Sequence, residues 1–294
     1  MNGRARAGFT LIEVAMALMI LALLMAGLVY TVAGQTEQRS FEETRRRLER
    51  ARELVLGFAA ANGRLPCPAR CSNWPACDSG TYATADEVWD STTGKCLGGG
   101  VEDYYGGTLA AGPPVVTGGL LPAATIGFGE TDSRGYAVDA WQNRIRYAVA
   151  KTRATGTCGV TPPAGTIIFT HAGNLKTYGM ACQPDDLLVC KTSVVTPAIS
   201  ATSCGGASPP ANQIMSQSLV VAIVFSTGKN GSITPGASRP DESANLDGGG
   251  NVNPVFVYHA PQPSGASGGE FDDQFAWITV GELMGRLVTA GRLP

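Results

Sequence analysis

The most constraining stretch of this chain is the apolar run from Phe9 to Ala33, in which Glu13 is the only formally charged side chain. Its 25 residues at helical rise span about 37 Å, enough to cross a hydrocarbon core of about 30 Å. Arg4 and Arg6 precede the run, and with the α-amino group they favour a cytoplasmic N-terminus. The rest of the chain then lies outside the cytoplasm. A secretory signal peptide has a shorter apolar core, about 7–15 residues, with a small-residue cleavage site after it. Here the small residue, Gly8, comes before the run. An ionised carboxylate at the centre of a bilayer costs at least about 2.5 kcal/mol, so an acid such as Glu13 is by default functional.

The helical pattern continues past the apolar run. From Gln35 to Asn62 it becomes amphipathic, with Phe41, Leu48, Ala51, Val55 and Phe58 on one stripe. Glu42 with Arg46, Glu43 with Arg47 and Arg45 with Glu49 add i,i+4 charge pairs. Asn62-Gly63 suits a C-cap and Pro66 forbids continuation. Gly27 and Gly34 are the flexible points. Four segments follow: 1–8 as a short basic leader, 9–33 as a membrane-spanning helix, 34–63 as its amphipathic half, and 64–294 as an exported globular domain.

All 8 cysteines (Cys67, Cys71, Cys77, Cys96, Cys158, Cys182, Cys190 and Cys204) fall in the exported part. An even set in an oxidising compartment argues for disulfides. Connectivity stays open, with a local pair such as Cys190 and Cys204 one option. Paired C-x2-C knuckles are absent, which argues against zinc. A net charge of −2 gives no electrostatic case for nucleic acid. With 38 glycines and 18 prolines, the domain is rich in loops.

Residues 64–119 read as a long disulfide-tied connection. β-Branched or aromatic runs then predict strands at Arg144–Ala150, Thr166–Thr170, Leu187–Val195, Leu219–Ser226, Val255–His259 and Phe275–Val280. Between them lie Gly/Pro/Ser/Asn-rich inserts at 197–212, 228–254 and 261–269. Thr279-Val280-Gly281-Glu282 fits a capping box for a final helix that carries Leu283, Leu287 and Val288 and closes at Gly291. The fold class is α+β: a long N-terminal helix packed on an antiparallel sheet. Whether there is one sheet or two stays open.

Gly8 followed by Phe9-Thr10-Leu11-Ile12-Glu13 resembles the class III leader of type IV pilins and type II secretion pseudopilins. The resemblance implies cleavage by prepilin peptidase after Gly8, methylation of Phe9 as the new N-terminus, and Glu13 neutralising a Phe9 ammonium when helices bundle. A buried pair is tolerable where a lone charge is not. Leu65-Pro66-Cys67-Pro68, Gly119-Leu120-Leu121-Pro122 with Gly127, Phe225 to Gly231, and Gly291-Arg292-Leu293-Pro294 look like elements of large minor pilins. Asp139-Ala140-Trp141-Gln142-Asn143-Arg144 resembles the Asp-x-Trp-x-Asn turn of pseudopilins, in which a glycine usually follows the tryptophan. Physically, Asp139 and Asn143 would hold a turn, and Trp141 would plug the core between sheet and helix.

Catalytic constellations are incomplete. Ser226-Thr227-Gly228-Lys229 matches Ser-x-x-Lys but follows an apolar strand, and its Ser-Asp-Asn and Lys-Thr-Gly partners are missing. Lys229 lacks the glycine spacing of a phosphate loop. His171 and His259 sit at strand ends without a visible nucleophile. Trp74, Tyr82, Trp89, Tyr104 and Tyr105 form either an adhesive surface or loop packing. Asp241, Glu242, Asn245 and Asp247 crowd one Gly-rich loop and Asp272-Asp273 another. Oxygen donors on such a loop suit Ca²⁺, although the spacing is not that of an EF-hand. A calcium-bound C-terminal loop is also what the pseudopilin resemblance implies, and solvated acidic turns are the plain alternative.

The sequence therefore reads as a non-enzymatic structural subunit, a minor pilin or minor pseudopilin. It needs no cofactor, Ca²⁺ being the one candidate. It starts as a single-pass inner-membrane protein with its domain in the periplasm and ends in a pilus or pseudopilus. Its partners are prepilin peptidase, other pilins or pseudopilins, and the inner membrane before assembly. The alternative is a membrane-anchored pilus-tip adhesin or ligand-binding module.

Overall fold

A computed structural model describes residues 10–69, 84–92, 96, 119–150, 166–184, 187–200, 202–206, 211–231, 238–246, 255–266 and 269–293; the side chains of 26–34 and 246 fall outside that description. The first helix, α1 (Leu11–Asn62), is continuous. Two compact units divide within it, residues 1–43 and 44–294.

In the first unit every described side chain from Leu11 to Met25 is exposed. Among the described residues no helix is long and apolar enough to cross a membrane. The expected spanning segment, 9–33, includes Phe9 and the side chains of 26–33, which lie outside the description.

In the second unit, α1 buries Thr44, Leu48, Ala51, Val55, Leu56 and Ala59. This is a 3.6-period stripe close to the one expected, with Phe58 only partly buried. The helix stops where the sequence predicts. Gly63 takes φ +70°, a conformation that glycine alone adopts without cost, and its N–H donates to the Ala59 carbonyl at 2.7 Å. Arg64, just past the cap, is buried, makes a two-pronged ion pair with Glu87 (2.6 and 2.8 Å) and lies 3.4 Å over the Trp89 ring.

The remaining elements are α2 (Ala123–Ile126), β1 (Arg146–Val149), α3 (Ala172–Tyr178), β2 (Leu188–Cys190), β3 (Gln213–Met215), β4 (Val220–Ser226), α4 (Pro240–Leu246), β5 (Val255–Val257), β6 (Gln274–Thr279) and α5 (Val280–Thr289). β1, β4 and β6 make an antiparallel sheet in the order β1-β4-β6. Every residue of β4 is buried, as its unbroken apolar run requires of a central strand. One core joins this sheet to α1 and to Leu283 and Leu287 of α5. Each such aliphatic side chain contributes about 1.5–3 kcal/mol on burial.

The second sheet, β3-β2-β5, corrects the purely antiparallel expectation, because β2 and β5 run parallel. The chain joining them passes through β3, β4 and α4, the kind of long crossover that parallel pairing needs. Thr166–Thr170 is not a strand. Its backbone is used singly, Phe169 O accepting from Leu65 N at 2.8 Å and Thr170 O from Trp89 Nε1 at 3.1 Å. The segment then leads into α3. Leu187–Val195 keeps ladder pairing only over β2, since Ser193 N turns to Asp241 Oδ1 at 2.6 Å. The insert at 228–254 contains α4.

Two described disulfides tie the loops, Cys67–Cys96 and Cys190–Cys204. Cys182 is also disulfide-bonded. Cys71, Cys77 and Cys158 lie outside the described residues, as do Trp74, Tyr82, Tyr104 and Tyr105. Trp89 is half-buried and packs against the core.

Candidate functional site

The N-terminal segment holds the residues singled out for processing and assembly. Gly8 and Phe9 lie outside the described residues. Glu13 is at the helix start, and its Oε2 accepts from the Thr10 amide and the Thr10 hydroxyl, both at 2.9 Å. Glu13 N donates back to Thr10 Oγ1 at 3.4 Å. This is a capping box, Thr10 being the cap and Glu13 the third helical residue, a local task beside the assembly role expected of Glu13. Behind it Leu11, Ile12, Leu18, Met19, Leu23 and Leu24 are each more than half exposed. A contiguous apolar surface of this kind marks a membrane or protein contact.

The two turn motifs meet each other. Asp139 is fully buried; its Oδ1 accepts from Trp141 N (2.9 Å) and Asn143 N (2.8 Å), and its Oδ2 from Ser226 Oγ (2.6 Å). Asn143 Nδ2 donates to Gly228 O at 2.6 Å. Arg47 and Thr44 of α1 grip the same turn, Arg47 donating to the carbonyls of Val138 and Asp139 and Thr44 Oγ1 accepting from Ala140 N. Burial raises the Asp139 carboxyl above its ordinary range, against the hydrogen bonds from Ser226, Asn143 and Trp141 and the Arg47 charge. Gln142 is the one described non-glycine residue at positive φ, +69°, at the position where the resemblance expects glycine. Trp141 does not plug the core; it is half-buried and outside the main cluster, because the turn it stands on is held by Asp139.

These contacts leave no nucleophile among the described residues of the motifs. Ser226 Oγ is committed to Asp139 and accepts from Gly228 N at 3.1 Å. His171 caps α3, its Nδ1 accepting from Asn174 N at 3.1 Å. His259 Nε2 lies 3.2 Å from Asp241 Oδ2, and Ser193 Oγ donates to Asp241 Oδ1 at 2.6 Å. In a hydrolytic triad the imidazole stands between hydroxyl and carboxylate, whereas here the carboxylate is in the middle.

The acidic residues are redistributed. α4 carries Asp241, Glu242 and Asn245, all buried, and Asp247 lies outside the described residues. Asp241 points to Thr192, Ser193 and His259. Asn245 brackets Val257, donating to its carbonyl (2.9 Å) and accepting from its amide (2.6 Å). Among the described residues of this set, only Glu242 joins a carboxylate group, and its companions are Asp272 and Asp273, with one oxygen from each within 4.8 Å of the others. Arg239 Nη1 donates to Glu242 Oε2 at 2.6 Å, and Asn245 Nδ2 to Asp273 Oδ2 at 2.7 Å. Burial, then the Glu242 and Glu270 charges, push the Asp272 carboxyl up to about 7. Burial raises Asp273 well above the carboxylate range. The sequence showed both acidic groups but gave no sign that they converge.

The model of the prokaryotic N-terminal methylation motif matches residues 3–29. The match covers the N-terminal segment alone and supports the resemblance of that segment to type IV pilins and pseudopilins. No curated protein and no solved structure matches the chain.

Proposed function

We propose that this chain is a minor pilin or minor pseudopilin, a non-enzymatic filament subunit. Prepilin peptidase cleaves after Gly8 and methylates Phe9. Before assembly the segment 9–33 spans the inner membrane with its N-terminus in the cytoplasm, and residues 64–294 fold in the periplasm. Assembly then moves the apolar helix from lipid into a bundle of like helices, where Glu13 neutralises a Phe9 ammonium.

The observation that carries this reading is the exposed apolar surface Leu11–Met25 beginning at Glu13, within the matched motif. Each large side chain of that surface gains about 1.5–3 kcal/mol when a neighbour covers it. The length of the domain after the helix favours a low-copy subunit over a major one, and Glu13 argues against the tip pseudopilin, which lacks the acid.

Mass spectrometry of the mature protein tests the proposal. The expected N-terminus is N-methylated Phe9. A mature chain that keeps residues 1–8, or begins elsewhere, overturns it.

A further inference from the structure

The sheet β1-β4-β6 has two outer edges, and the chain treats them differently. Along β1 the edge is covered by the segment before α2. Tyr147 N donates to Gly119 O, Leu121 N donates to Ile145 O at 3.0 Å, and Leu120 bridges Arg146. Along β6 no such cover exists among the described residues, because β6 pairs with β4 alone.

The register tells which backbone groups are left over. Ala276 stands opposite Val224 and Ile278 opposite Ala222, and Val280 N donates to Leu219 O at 2.8 Å. In an antiparallel pair, alternate residues turn their N–H and C=O to the neighbouring strand. Gln274, Ala276 and Ile278 therefore bond to β4, and Phe275 and Trp277 turn theirs away from it. Arg52 marks that outer side, its Nε donating to Trp277 O at 3.0 Å. Further along, Thr279 N is closed by Glu282 Oε2 at 3.2 Å. The Phe275 N–H, the Phe275 C=O and the Trp277 N–H remain. Apart from Arg52, the edge lacks the usual means of preventing strand pairing: Gln274 to Thr279 contains no lysine, proline or acid.

Phe275 and Trp277 line a cavity of about 500 Å³. Arg45, Glu49 and Arg52 of α1 form one wall and Tyr258 another. Arg52 closes the Trp277 end, held by Glu49 at 3.7 Å and by Glu282. Arg45 lies two turns earlier on α1, about 10 Å away. It stands towards Gln274, since its neighbours Thr44 and Arg47 hold the turn that Asp139 fastens to Ser226, the partner of Gln274. Glu49 is engaged with Arg52, and among the described residues Arg45 has no carboxylate partner.

We propose that the free edge of β6 takes an extended segment of a different polypeptide as an added antiparallel strand. An acidic side chain near the C-terminal end of that segment meets Arg45. Strand addition of this kind draws its affinity from main-chain hydrogen bonds. One residue of the segment exchanges two such bonds with Phe275, and the carbonyl two positions before it accepts from the Trp277 N–H. Arg52, already on Trp277 O, ends the ladder there. A small anion could serve the two N–H groups but not the carbonyl between them, whereas a peptide backbone serves all three. The added strand lies about 4.8 Å from β6, in the space between α1 and Tyr258. All of these residues belong to the globular unit, and the proposal is independent of the filament reading.

The test uses the full-length chain in detergent micelles and reads amide hydrogen exchange by NMR. In the chain alone, Phe275 and Trp277 should exchange at least about tenfold faster than Ala276 and Ile278, which are laddered to β4. Equally slow exchange overturns the proposal; if it accompanies a concentration-dependent dimer, the occupant is a second copy instead. The probes are acetylated peptides that alternate threonine and valine and carry one glutamate, at either end. The peptide with its glutamate at the C-terminal end should bind with a Kd of about 0.1 mM and slow both amides about tenfold at saturation. Methylating the peptide nitrogen that faces Phe275 should abolish binding. Arg45 is exposed, so Arg45→Glu leaves the fold in place. It should weaken binding about tenfold, and a lysine in place of the peptide's glutamate should restore it. The proposal is overturned if no peptide binds at about 1 mM, or if binding leaves both amides unprotected or survives the methylation. An Arg45→Glu chain that binds the glutamate peptide as wild type does overturns it as well.

Discussion

Asp139 and Ser226, 87 positions apart, are joined by a buried hydrogen bond of 2.6 Å from the serine hydroxyl to the carboxylate. The bond fastens the Asp139–Asn143 turn to the end of β4, and Asn143 repeats the connection through Gly228 O. With Arg47 and Thr44 holding the other side, this turn joins helix to sheet. Asp139→Ala orphans three donors at once. Urea unfolding should show a loss of about 2–4 kcal/mol, with Ser226→Ala losing about 1–2 kcal/mol.

The same carboxylate gives a pH dependence. Burial raises the Asp139 pKa in the folded chain above its unfolded value, so the native state holds this proton more tightly and unfolding releases it. The contribution to stability is therefore full below the unfolded pKa and is lost as pH rises through the folded pKa. Asp139→Asn does not titrate. The unfolding free energy of wild type minus that of Asp139→Asn should fall as pH rises from about 4. A difference that rises over this range would refute the assignment.

Gln142 occupies a left-handed conformation, φ +69°. Such a conformation costs a side-chain-bearing residue about 1–2 kcal/mol relative to glycine, partly offset by the larger chain entropy that glycine loses on folding. Gln142→Gly should stabilise by about 0.5 kcal/mol, and Gln142→Ile should destabilise by about 1 kcal/mol or more. Denaturation midpoints of the two variants check the order.

Arg64 is buried between Glu87 and Trp89. Arg64→Leu leaves Glu87 charged and unpaired in the interior and should cost about 3–5 kcal/mol by urea unfolding with disulfides intact. The Arg64→Leu/Glu87→Gln double variant should recover part of that loss, which a purely steric defect would not allow.

Glu13→Ala removes both the capping box and the acid assigned to assembly. Since Glu13 is in the first unit, the unfolding free energy of the globular unit should move by less than about 0.5 kcal/mol. Incorporation into filaments, measured by immunoblot of sheared filaments, should collapse. Thr10→Val, which removes only the cap hydroxyl, should retain incorporation.

What the sequence disclosed follows the range over which each signal acts. The end of α1 at Asn62-Gly63, the buried run of β4 and the Thr279–Glu282 capping box are local, and each was legible. α4 was not, because the buried residues among its described side chains are Asp241, Glu242 and Asn245; helix periodicity is read from apolar residues, and these are polar. Thr166–Thr170 has strand composition but meets scattered single partners, among them Leu65, Trp89 and Asn174, instead of a neighbouring strand. The parallel register of β2 with β5 has no local signature, since it is fixed by a crossover of more than sixty residues. For the same reason the sequence exposed Glu242 and the Asp272-Asp273 pair separately.

The last helix has a consequence for how the domain bears force. Arg52 pairs with Glu282, Arg286 with Glu53 at 2.7 Å, and Arg292 donates to the carbonyls of Ala60 and Ala61. α5 follows β6 without a break, and β6 is laddered to the central strand β4. A pull entering the domain through α1 thus reaches the sheet by two routes, the packed stripe of α1 and the arginine contacts to α5. Tension is divided between them, and the chain leaving α1 at Gly63 is not the sole link to the sheet.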